Sequence, residues 1–501
     1  EIKECDWSSD VCSSDLLLSD TGVAEMNIHH NRIGYPNLPL SIYSKSSNGF
    51  LNGIYIISSK VEGKVRIHDN IVCNIWSCDS TTYTSGSAIN GINFKGLLFS
   101  PDNPSTSCTD SLIISNNKVF SLTSSHANVQ SYANVNPGIN GIWTVCRPDD
   151  IGIIDANEVF NIQSLQQTLS HYLTGMTLEG NIIARKNKIH SLNNKTSDGL
   201  LSGIVNTGAI QCINNFISIG CDYFGNDINT SVNIRGISSS LDTAKHSSYY
   251  NNSIYIGGTS PVASQSCAIA LYALAYNQYF PVRNNICVNS RLTHSNNSNQ
   301  LNSVYYFPSN IISENNIFYY TNPFNGLGFN NNTLLSDSTS IVANPQFINS
   351  CGGSNINMRV NVNSPAIGFG KASAVVPDDI DGTNRIDSGS ITAGCYELML
   401  DTSSEVLISA PYTTICLRDS VLLTATQISG YNYSWTCNGI TVGNNSSYCY
   451  ATSAGVYVAM VYNNNDTIYS NALPIQTIES HSSYSIAICI GDTISFAGDE
   501  I

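Results

Sequence analysis

The stretch Leu112-Ile113-Ile114-Ser115-Asn116-Asn117-Lys118-Val119 places asparagine between two stiff apolar segments, and this arrangement recurs along the chain. It returns, for example, as Ile153-Ile154-Asp155-Ala156-Asn157-Glu158-Val159. The anchor asparagines stand at positions 70, 117, 157, 187, 215, 252, 284 and 315, which gives gaps of 47, 40, 30, 28, 37, 32 and 31 residues. A period near thirty residues with variable insertions is typical of a solenoid with one coil per repeat.

A second phrase, a small-residue turn followed by an apolar residue, runs in step with the first. Its copies are Asn52-Gly53-Ile54, Asn90-Gly91-Ile92, Asn140-Gly141-Ile142, Thr174-Gly175-Met176, Ser202-Gly203-Ile204, Arg235-Gly236-Ile237 and a degenerate Cys267-Ala268-Ile269. Glycine allows close backbone approach, and β-branched residues suit half-buried strands. Because no stretch shows sustained helical periodicity, we expect an all-β chain built from the coils of a parallel β-helix.

The recurrent asparagines have a structural interpretation. Equivalent residues of successive coils lie roughly 4.8 Å apart, so eight coils would form a rod about 40 Å long. Asparagine at one corner tolerates left-handed backbone angles and can bond its amide to the next coil. An unpaired buried amide would cost roughly 1–3 kcal/mol. We therefore expect the asparagines to stabilise the stack rather than to bind a ligand.

Composition narrows the possible partners. The chain has 501 residues, of which only 11% are charged, and a formal net charge of −15. This acidic balance argues against a nucleic-acid partner, and no run of about twenty apolar residues predicts a membrane span. A polar but uncharged surface suits either sugar binding or neutral solubility. The length predicts more than one structural unit.

The two ends and the cysteines need separate treatment. Residues 1–18 resemble the translation of a sequencing-library adaptor, so we exclude them from the fold and expect a fragment whose native start, with any signal peptide, is missing.

The remaining cysteines fit no zinc motif. Three pairs could form disulfides in an oxidising compartment: Cys73 with Cys78, Cys212 with Cys221, or Cys437 with Cys449. Alternatively, cysteines fill the coil interiors.

Residues 341–397 carry the most specific motif. Asn344-Pro345-Gln346-Phe347, Ser364-Pro365-Ala366-Ile367, Asp379-Ile380-Asp381-Gly382-Thr383-Asn384-Arg385 and Ala393-Gly394-Cys395-Tyr396-Glu397 follow one another. This succession resembles the C-terminal end of secreted bacterial right-handed parallel β-helix proteins, apart from Cys395 in place of a small or acidic residue. The resemblance implies a right-handed β-helix over 19–340, closed by a cap over 341–400 that covers unpaired strand edges.

The same motif offers a metal hypothesis. Asp379, Asp381 and Asn384 supply oxygen ligands on a glycine-containing turn, which suits calcium. The alternative is a capping turn in which Arg385 pairs with Asp381 or Glu397. Calcium is the only cofactor that the sequence suggests.

Beyond residue 403 the composition changes to short alternating strands. Segments 416–425, 431–436 and 454–461 read as strands, the second around Trp435 and the third carrying Tyr457. A strand tryptophan followed by a late-strand tyrosine resembles the tandem Ig-like β-sandwich domains of bacterial surface and secreted proteins. We assign one such module to 403–477 and the start of a second, whose Cys489 phrase echoes Cys416, to 484–501.

Catalytic candidates are few. Asp149, Asp150 and Asp155 form the best acidic cluster, and Lys186 and His190 on the next coil could supply a base. A polysaccharide lyase needs a base beside an acidic calcium cluster, and a glycoside hydrolase needs two carboxyl groups about 5–9.5 Å apart. No known pectin-hydrolase phrase is present. Single histidines such as His68 have no sequence partner at metal or triad spacing.

Exposed tyrosines offer a second type of site. Tyr249, Tyr250, Tyr272, Tyr276, Tyr305 and Tyr306 cluster in the later coils, and the ring and hydroxyl of tyrosine suit sugar contacts. Such tyrosines can equally pack in the core. We predict a secreted or cell-surface protein with a structural or adhesive role, binding carbohydrate or another surface polymer; the alternative is a polysaccharide lyase or glycoside hydrolase.

Overall fold

A computed structural model describes most of the chain in two compact units, residues 1–397 and 398–501. The described residues are 16–21, 25–37, 42–44, 51–60, 64–77, 89–96, 111–125, 138–146, 151–165, 171–196, 199–208, 210–241, 247–262, 264–273, 280–293, 304–307, 311–321, 337, 339–351, 353, 355–385, 390–398, 406–416, 418–428, 431–443, 445–462 and 467–478. These residues form strands and turns, and none of them lies in a helix. The described part of the chain thus contains no helix that could cross a membrane.

Three long parallel sheets form the first unit. Sheet 1 contains nine strands, which are β1 (Leu16–Thr21), β5 (Leu51–Lys60), β8 (Ile89–Gly96), β11 (Ile139–Val145), β14 (His171–Glu179), β17 (Gly199–Asn206), β20 (Asn233–Leu241), β24 (Ser266–Ala273) and β28 (Val304–Phe307). Sheet 2 also contains nine, which are β2 (Glu25–His29), β6 (Lys64–His68), β9 (Ser111–Ser115), β12 (Ile151–Asp155), β15 (Ile182–Arg185), β18 (Ile210–Ile213), β21 (Ser248–Tyr250), β25 (Phe280–Arg283) and β29 (Ile311–Glu314).

Sheet 3 contains eleven strands. They are β3 (Arg32–Ile33), β4 (Ile42–Ser44), β7 (Ile71–Ser77), β10 (Lys118–Ser124), β13 (Glu158–Ser164), β16 (Lys188–Asn194), β19 (Phe216–Ile219), β22 (Ser253–Ile256), β26 (Ile286–Asn289), β30 (Ile317–Tyr320) and β31 (Ile341–Val342). From β5 onward, the chain visits sheets 1, 2 and 3 in turn, and each strand pairs in parallel with its equivalent one coil later. Two short strands that follow sheet 3 in successive coils, β23 (Thr259–Ser260) and β27 (Leu292–Thr293), form a separate parallel pair. The predicted all-β architecture with long parallel sheets is confirmed, and its order is that of a parallel β-helix.

The glycine phrase marks a column where sheet 1 passes close to sheet 3. A Cβ atom on Gly175 would lie 2.5 Å from Ile189 Cγ2 and 2.7 Å from the Gly203 carbonyl oxygen. A Cβ atom on Gly203 would meet Ile217 and the Gly236 carbonyl, both at 2.6 Å. Only a residue without a side chain fits between the stacked backbones and the apolar core. Ala268 ends the column, which explains the degenerate last copy of the phrase.

The asparagine phrase forms a ladder at the corner between sheets 2 and 3. The backbone and side-chain nitrogens of Asn157 both donate to Asn187 Oδ1, at 3.0 Å each. The side chain of Asn157 also donates to the Ile114 carbonyl of the preceding coil at 2.8 Å. The same pattern links the positions 31, 70, 117, 157, 187, 215, 252, 285 and 316.

The ladder corrects two predicted anchors and one predicted backbone role. The last two rungs are Asn285 and Asn316, not Asn284 and Asn315, because the amides that bond between coils are one residue further along. The left-handed angle falls on the residue before each rung, as at Lys186 (φ 57°) and Asn284 (φ 57°). The rung itself is therefore selected for its buried amide, and the preceding residue makes the turn.

After β31, the chain turns back along the outer side of sheet 3. We call residues 343–397 the return segment; it contains the antiparallel pairs β32 (Phe347–Asn349) with β33 (Asn357–Val360) and β34 (Gly370–Lys371) with β35 (Ser390–Ile391). Ile286 and Ile317 on the outer side of sheet 3 are fully buried against it. We expected this segment to cover the end of the stack; its described residues pack along the outer side of sheet 3, and β31 extends that sheet by one strand.

The second unit has two small sheets around one apolar core. The three-stranded sheet contains β36 (Ile408–Ser409), β38 (Val421–Ala425) and β41 (Tyr448–Ala451). The six-stranded sheet contains β37 (Thr414–Cys416), β39 (Asn432–Cys437), β40 (Ile440–Thr441), β42 (Gly455–Tyr462), β43 (Thr467–Tyr469) and β44 (Leu473–Ile478). The predicted strand over 416–425 is therefore two strands, β37 and β38, which belong to different sheets.

The cysteines are mostly buried thiols. Eight of the described cysteines are buried and form no disulfide, which rules out the predicted Cys73–Cys78 and Cys437–Cys449 pairs; they are Cys73, Cys146, Cys212, Cys267, Cys287, Cys395, Cys437 and Cys449. Cys221 forms a disulfide with Cys351 rather than with Cys212, so that pairing hypothesis was wrong. Cys212 lies inside the coil, where burial raises the pKa of its thiol. The first strand, β1, begins at Leu16, so three of its residues lie inside the stretch that we excluded, and it pairs with β5.

Candidate ligand-binding face

An aromatic strip runs along the outer side of sheet 3, beside the part that the return segment covers. Phe120 of β10 and Phe160 of β13 occupy the same register position, and their rings stack with centroids 4.8 Å apart. His190 of β16 continues the strip, 5.1 Å from Phe160 and nearly parallel to it. We call the outer side of β7, β10, β13 and β16 the open face. The repeat of the coil thus aligns three rings that are 30 to 40 residues apart in sequence.

One residue with a left-handed backbone angle lies within each strand of this face and adds an extra outward position. Val119 and Leu122 both point into the core, so two residues separate the inward positions of β10 instead of one. The second of them, Ser121, has φ 55°, and Asn74, Asn161 and Ser191 repeat this angle in the neighbouring strands. The Asn161 amide donates to Ser121 Oγ at 2.9 Å. The strands β10, β13 and β16 therefore each carry a ring beside a neutral polar residue, whereas β7 has Cys73 at the ring position.

A short loop adds two further aromatic residues. Residues 221–227 lead out of sheet 3 after β19, and Tyr223 stacks 5.7 Å from Phe160. Phe224 is 84% exposed, the most exposed of the large apolar residues described. We call residues 221–227 the finger. Phe224 therefore offers its apolar ring to solvent on this loop.

The finger is held at its base and at its turn. Cys221 is bonded to Cys351 of the return segment, and Cys221 pairs with Asp227 in an isolated antiparallel bridge. The Asp222 carboxylate accepts the backbone N–H groups of Phe224 and Asn226, both at 2.9 Å, and these bonds help to lower its pKa against the effect of burial. The loop is therefore preorganised before any ligand arrives.

One acidic group lies beside the strip. Glu158 is 3.0 Å from Lys118 Nζ and 3.8 Å from His190 Nε2. His190 and Lys118 lower the pKa of Glu158 to about 2, which outweighs the opposing effect of burial. Glu158 is consequently ionised near neutral pH and cannot act as a general acid. Its chemistry suits hydrogen-bond acceptance from a ligand hydroxyl.

The predicted catalytic residues do not meet at one site in the described part of the chain. Asp155 pairs with Arg185 at 2.8 Å, and Lys186 pairs with Asp378 of the return segment at 2.6 Å. His190 is 4% exposed and lies beside Glu158 instead. Asp149 and Asp150 lie outside the described residues. The described carboxyl group whose pKa is raised, Glu397, is buried against Arg385 at 3.1 Å and cannot face a substrate.

The calcium hypothesis fits the contacts poorly. Asp379 is fully buried, and its carboxylate accepts three backbone N–H groups, from Asp381, Thr383 and Glu397, at 2.7–2.9 Å. Asp381 pairs with Arg359. These donors occupy the oxygens that a cation would need, and Asn384 pairs with Asp378 through the backbone. The alternative pairing of Arg385 with Glu397 is present.

A second group of metal-type donors is also accounted for. Cys221, Asp227 and Cys351 place donor atoms within 4.8 Å of one another. Because the two sulfurs are bonded to each other, they are not available as thiolate ligands.

The predicted tyrosine cluster divides between the core and other positions. Tyr249 is fully buried, and its hydroxyl shares a 2.6 Å hydrogen bond with Ser239, so it is a core residue and not a ligand contact. Tyr250 is half-buried at the end of β21. Tyr272 lies in β24, and Tyr305 and Tyr306 lie in β28. Tyr276 lies outside the described residues.

Sequence reasoning missed Phe120, Phe160, Tyr223 and Phe224. The first two follow the rung asparagine by three residues, in Asn117-Lys118-Val119-Phe120 and Asn157-Glu158-Val159-Phe160, and this repeated spacing was the available signal. The finger gave no such signal, because its position depends on a disulfide across 130 residues. Comparison with protein-family models, curated proteins and solved structures finds no match to this chain.

Proposed function

We propose that this protein is a secreted or cell-surface rod with a structural or adhesive role, and that it binds a carbohydrate or another surface polymer on the open face. The observation that carries the proposal is the aromatic strip with its preorganised finger. Aromatic rings offer apolar surface to the C–H groups of a sugar, and the adjacent amides and hydroxyls match its hydroxyl groups. The strip follows the rod axis, so it suits an extended chain rather than a compact ligand.

The proposed location and architecture have their own support. The disulfide between Cys221 and Cys351 suits an oxidising compartment outside the cytosol. We propose a right-handed coil, the hand that nearly all crossovers between parallel strands adopt. We further propose that the second unit is an Ig-like module acting as a spacer.

Two side chains support the Ig-like proposal. Trp435 is fully buried and donates its indole N–H to the Ser446 carbonyl at 2.8 Å. The Tyr457 hydroxyl donates to the Ser453 carbonyl four residues upstream at 3.0 Å, the contact that defines a tyrosine corner. Leu423 and Ala459 pack in the same core, which has no disulfide between its sheets among the described residues.

Binding is tested with the full chain on a panel of immobilised polysaccharides. We expect at least one polymer to bind and Phe160→Ala to weaken that binding at least tenfold. Tyr448→Ala is the matched control, because Tyr448 is an exposed aromatic residue of the second unit. Equal binding by wild type and Phe160→Ala, or no binding to any polymer, would contradict the proposal.

The same panel tests the rival lyase or hydrolase activity. Wild-type protein is incubated with each polymer, and new reducing ends and unsaturated products are measured. We expect none, because the described face offers the ionised Glu158 but no second carboxyl group beside it to act as general acid. Product that disappears in Asp150→Ala or Lys186→Ala would replace the binding proposal with an enzymatic one.

A further inference from the structure

Three imidazole rings and one carboxylate meet at the corner between sheets 2 and 3 in the first two coils. His29 ends β2 and His68 ends β6, and these residues are in register. Their rings stack with centroids 5.0 Å apart and an interplanar angle of 9°. His30 stands almost perpendicular to both, 5.0 Å from His29 and 6.2 Å from His68. The stacking of coils thus brings His68, which has no partner in sequence, against two other histidines.

The donor atoms of this group, which we call the histidine corner, form close pairs rather than one cluster. His29 Nδ1 and His30 Nδ1 are 2.7 Å apart. His68 Nδ1 is 2.6 Å from Asp69 Oδ2, and its Nε2 is 2.8 Å from Asn27 Oδ1. The Asp69 carboxylate therefore contacts the imidazole of His68 directly.

The backbone fixes where these side chains project. His30 and Asp69 occupy the left-handed turn position before the rung asparagines, with φ 58° and 56°. His29 and His68 occupy the preceding position, at the end of each strand of sheet 2. Two adjacent columns of the solenoid therefore direct all four side chains to the same corner.

The same columns are filled differently further along. At the strand-end position, Asp155 pairs with Arg185, and Arg283 pairs with Glu314 at 3.0 Å. Opposite charges thus stabilise the later coils at this corner. In the first two coils, three groups that can all become cationic stand together with one anion, on a surface where His29 and His30 are exposed. These exposed rings bury little apolar area, so they contribute little to the stability of the fold through packing.

We propose that His29, His30, His68 and Asp69 bind a single divalent transition-metal ion, for which Zn²⁺ is the test ion. Neutral imidazoles and a carboxylate are a standard ligand set for zinc. Zinc–nitrogen bonds of about 2.0–2.1 Å separate two imidazole nitrogens in a tetrahedral site by roughly 3.4 Å. His29 Nδ1 and His30 Nδ1 need to move apart only slightly, and the partly exposed His68 and Asp69 side chains can turn toward the ion.

The test is calorimetric titration of Zn²⁺ into the full chain, prepared without an affinity tag, stripped of metal and kept oxidised so that the Cys221–Cys351 disulfide is intact. We expect one Zn²⁺ per chain. His30→Ala and His68→Ala should each weaken binding at least tenfold, and binding should weaken as pH falls from 7.5 to 5.5, because protons compete for imidazole. His171→Ala is the control, since His171 begins β14 in sheet 1.

A second measurement keeps the proposal testable if one variant folds poorly. Co²⁺ in a four-coordinate site of nitrogen and oxygen ligands gives strong visible absorption, which His29→Ala should abolish while the β-sheet circular dichroism stays unchanged. The proposal is overturned if wild type takes up no Zn²⁺, or if the His30→Ala/His68→Ala double variant binds it as tightly as wild type.

Discussion

The open face and the covered face of sheet 3 are two halves of one sheet with different outer residues. Their inner sides are equivalent: Val159 of β13 and Ile254 of β22 occupy the same fully buried column. On the outer side, the first position of each strand is Ile71, Lys118, Glu158 and Lys188 in the open half, but Phe216, Ser253, Ile286 and Ile317 in the covered half. Charged residues thus occupy three of the four positions in the open half and none in the covered half, where the return segment packs on the sheet.

The return segment explains why the covered half carries apolar residues. Phe216 packs with Met358, Ile380 and Cys395. The backbone N–H of Cys395 donates to Ser253 Oγ at 3.0 Å, so the segment replaces the solvent that covers the open face.

We expect the largest loss of stability from a substitution in the return segment, which packs on the covered half. Arg385 is fully buried, lies 3.1 Å from Glu397 and donates to the Gly394 carbonyl at 2.9 Å. Arg385→Met would leave Glu397 buried without its counter-charge, at a cost of about 3–5 kcal/mol in the free energy of unfolding. Chemical denaturation measures this loss. Arg359→Met is the control, because its partly exposed pair with Asp381 should contribute about 1 kcal/mol or less. Equal losses would mean that the return segment is not anchored by its buried pair.

The disulfide should matter next. Cys221 and Cys351 close a loop of 130 residues between the stack and the return segment. We expect Cys351→Ser to cost about 2–4 kcal/mol, mainly because the unfolded chain regains freedom. Thermal unfolding with and without reductant measures it, and reductant should have little further effect on the variant. If reduction leaves the wild-type midpoint unchanged, the bond does not hold the covered half. The variant should also weaken any polymer binding that depends on the finger.

The glycine column should respond alike in both halves. Gly175 faces Ile189 beneath the open face, and Gly203 faces Ile217 beneath the covered one. Gly175→Ala and Gly203→Ala would each force a Cβ atom into the core at a cost of about 1–3 kcal/mol. Urea denaturation of the two variants side by side checks this. A much smaller cost under the open face would show that the two inner sides are not equivalent.

The smallest expected effect belongs to the open face. The pKa of Glu158 is lowered from 4.5 to about 2, so its ionised form stabilises the folded state above pH 4.5, and this contribution is lost as pH falls toward 2. Glu158→Gln should lower stability by about 1 kcal/mol or less near neutral pH, since the pair with Lys118 is partly exposed. Denaturation at pH 7, 4 and 2.5 should show the difference shrinking with acidity. A constant difference would rule out the charge as its source.

Much of the fold could be predicted because every coil requires the same residue types at equivalent positions. Asparagine and glycine recur wherever a buried amide or a missing side chain is needed, and this periodicity is visible in one sequence. The off-by-one error at Asn284 and Asn315 arose because two consecutive asparagines stand there, one for the turn and one for the rung. Local pattern alone cannot distinguish a left-handed asparagine from a bonded one.

The candidate sites were less predictable because they depend on distance in sequence. Phe120 and Phe160 become neighbours only when the insertions between coils are discounted, and the finger is positioned by a cysteine from the return segment. His68 looked isolated because its partners lie on the previous coil, about 39 residues away. In each case the side chains come together because equivalent strands of successive coils pair in register. The spacing of motifs along the chain does not show this pairing.

The asparagine ladder has a consequence for how such a chain can change over time. Each rung bonds only to its neighbours, and the spacing between rungs in sequence varies from 28 to 47 residues without altering the bonds between them. The ladder has one rung in each coil, and its hydrogen bonds do not depend on how many residues connect one rung to the next. Insertions at the connections, or duplications of whole coils, can therefore occur during evolution without changes to the core. Such changes alter the surface of the protein while the scaffold stays the same.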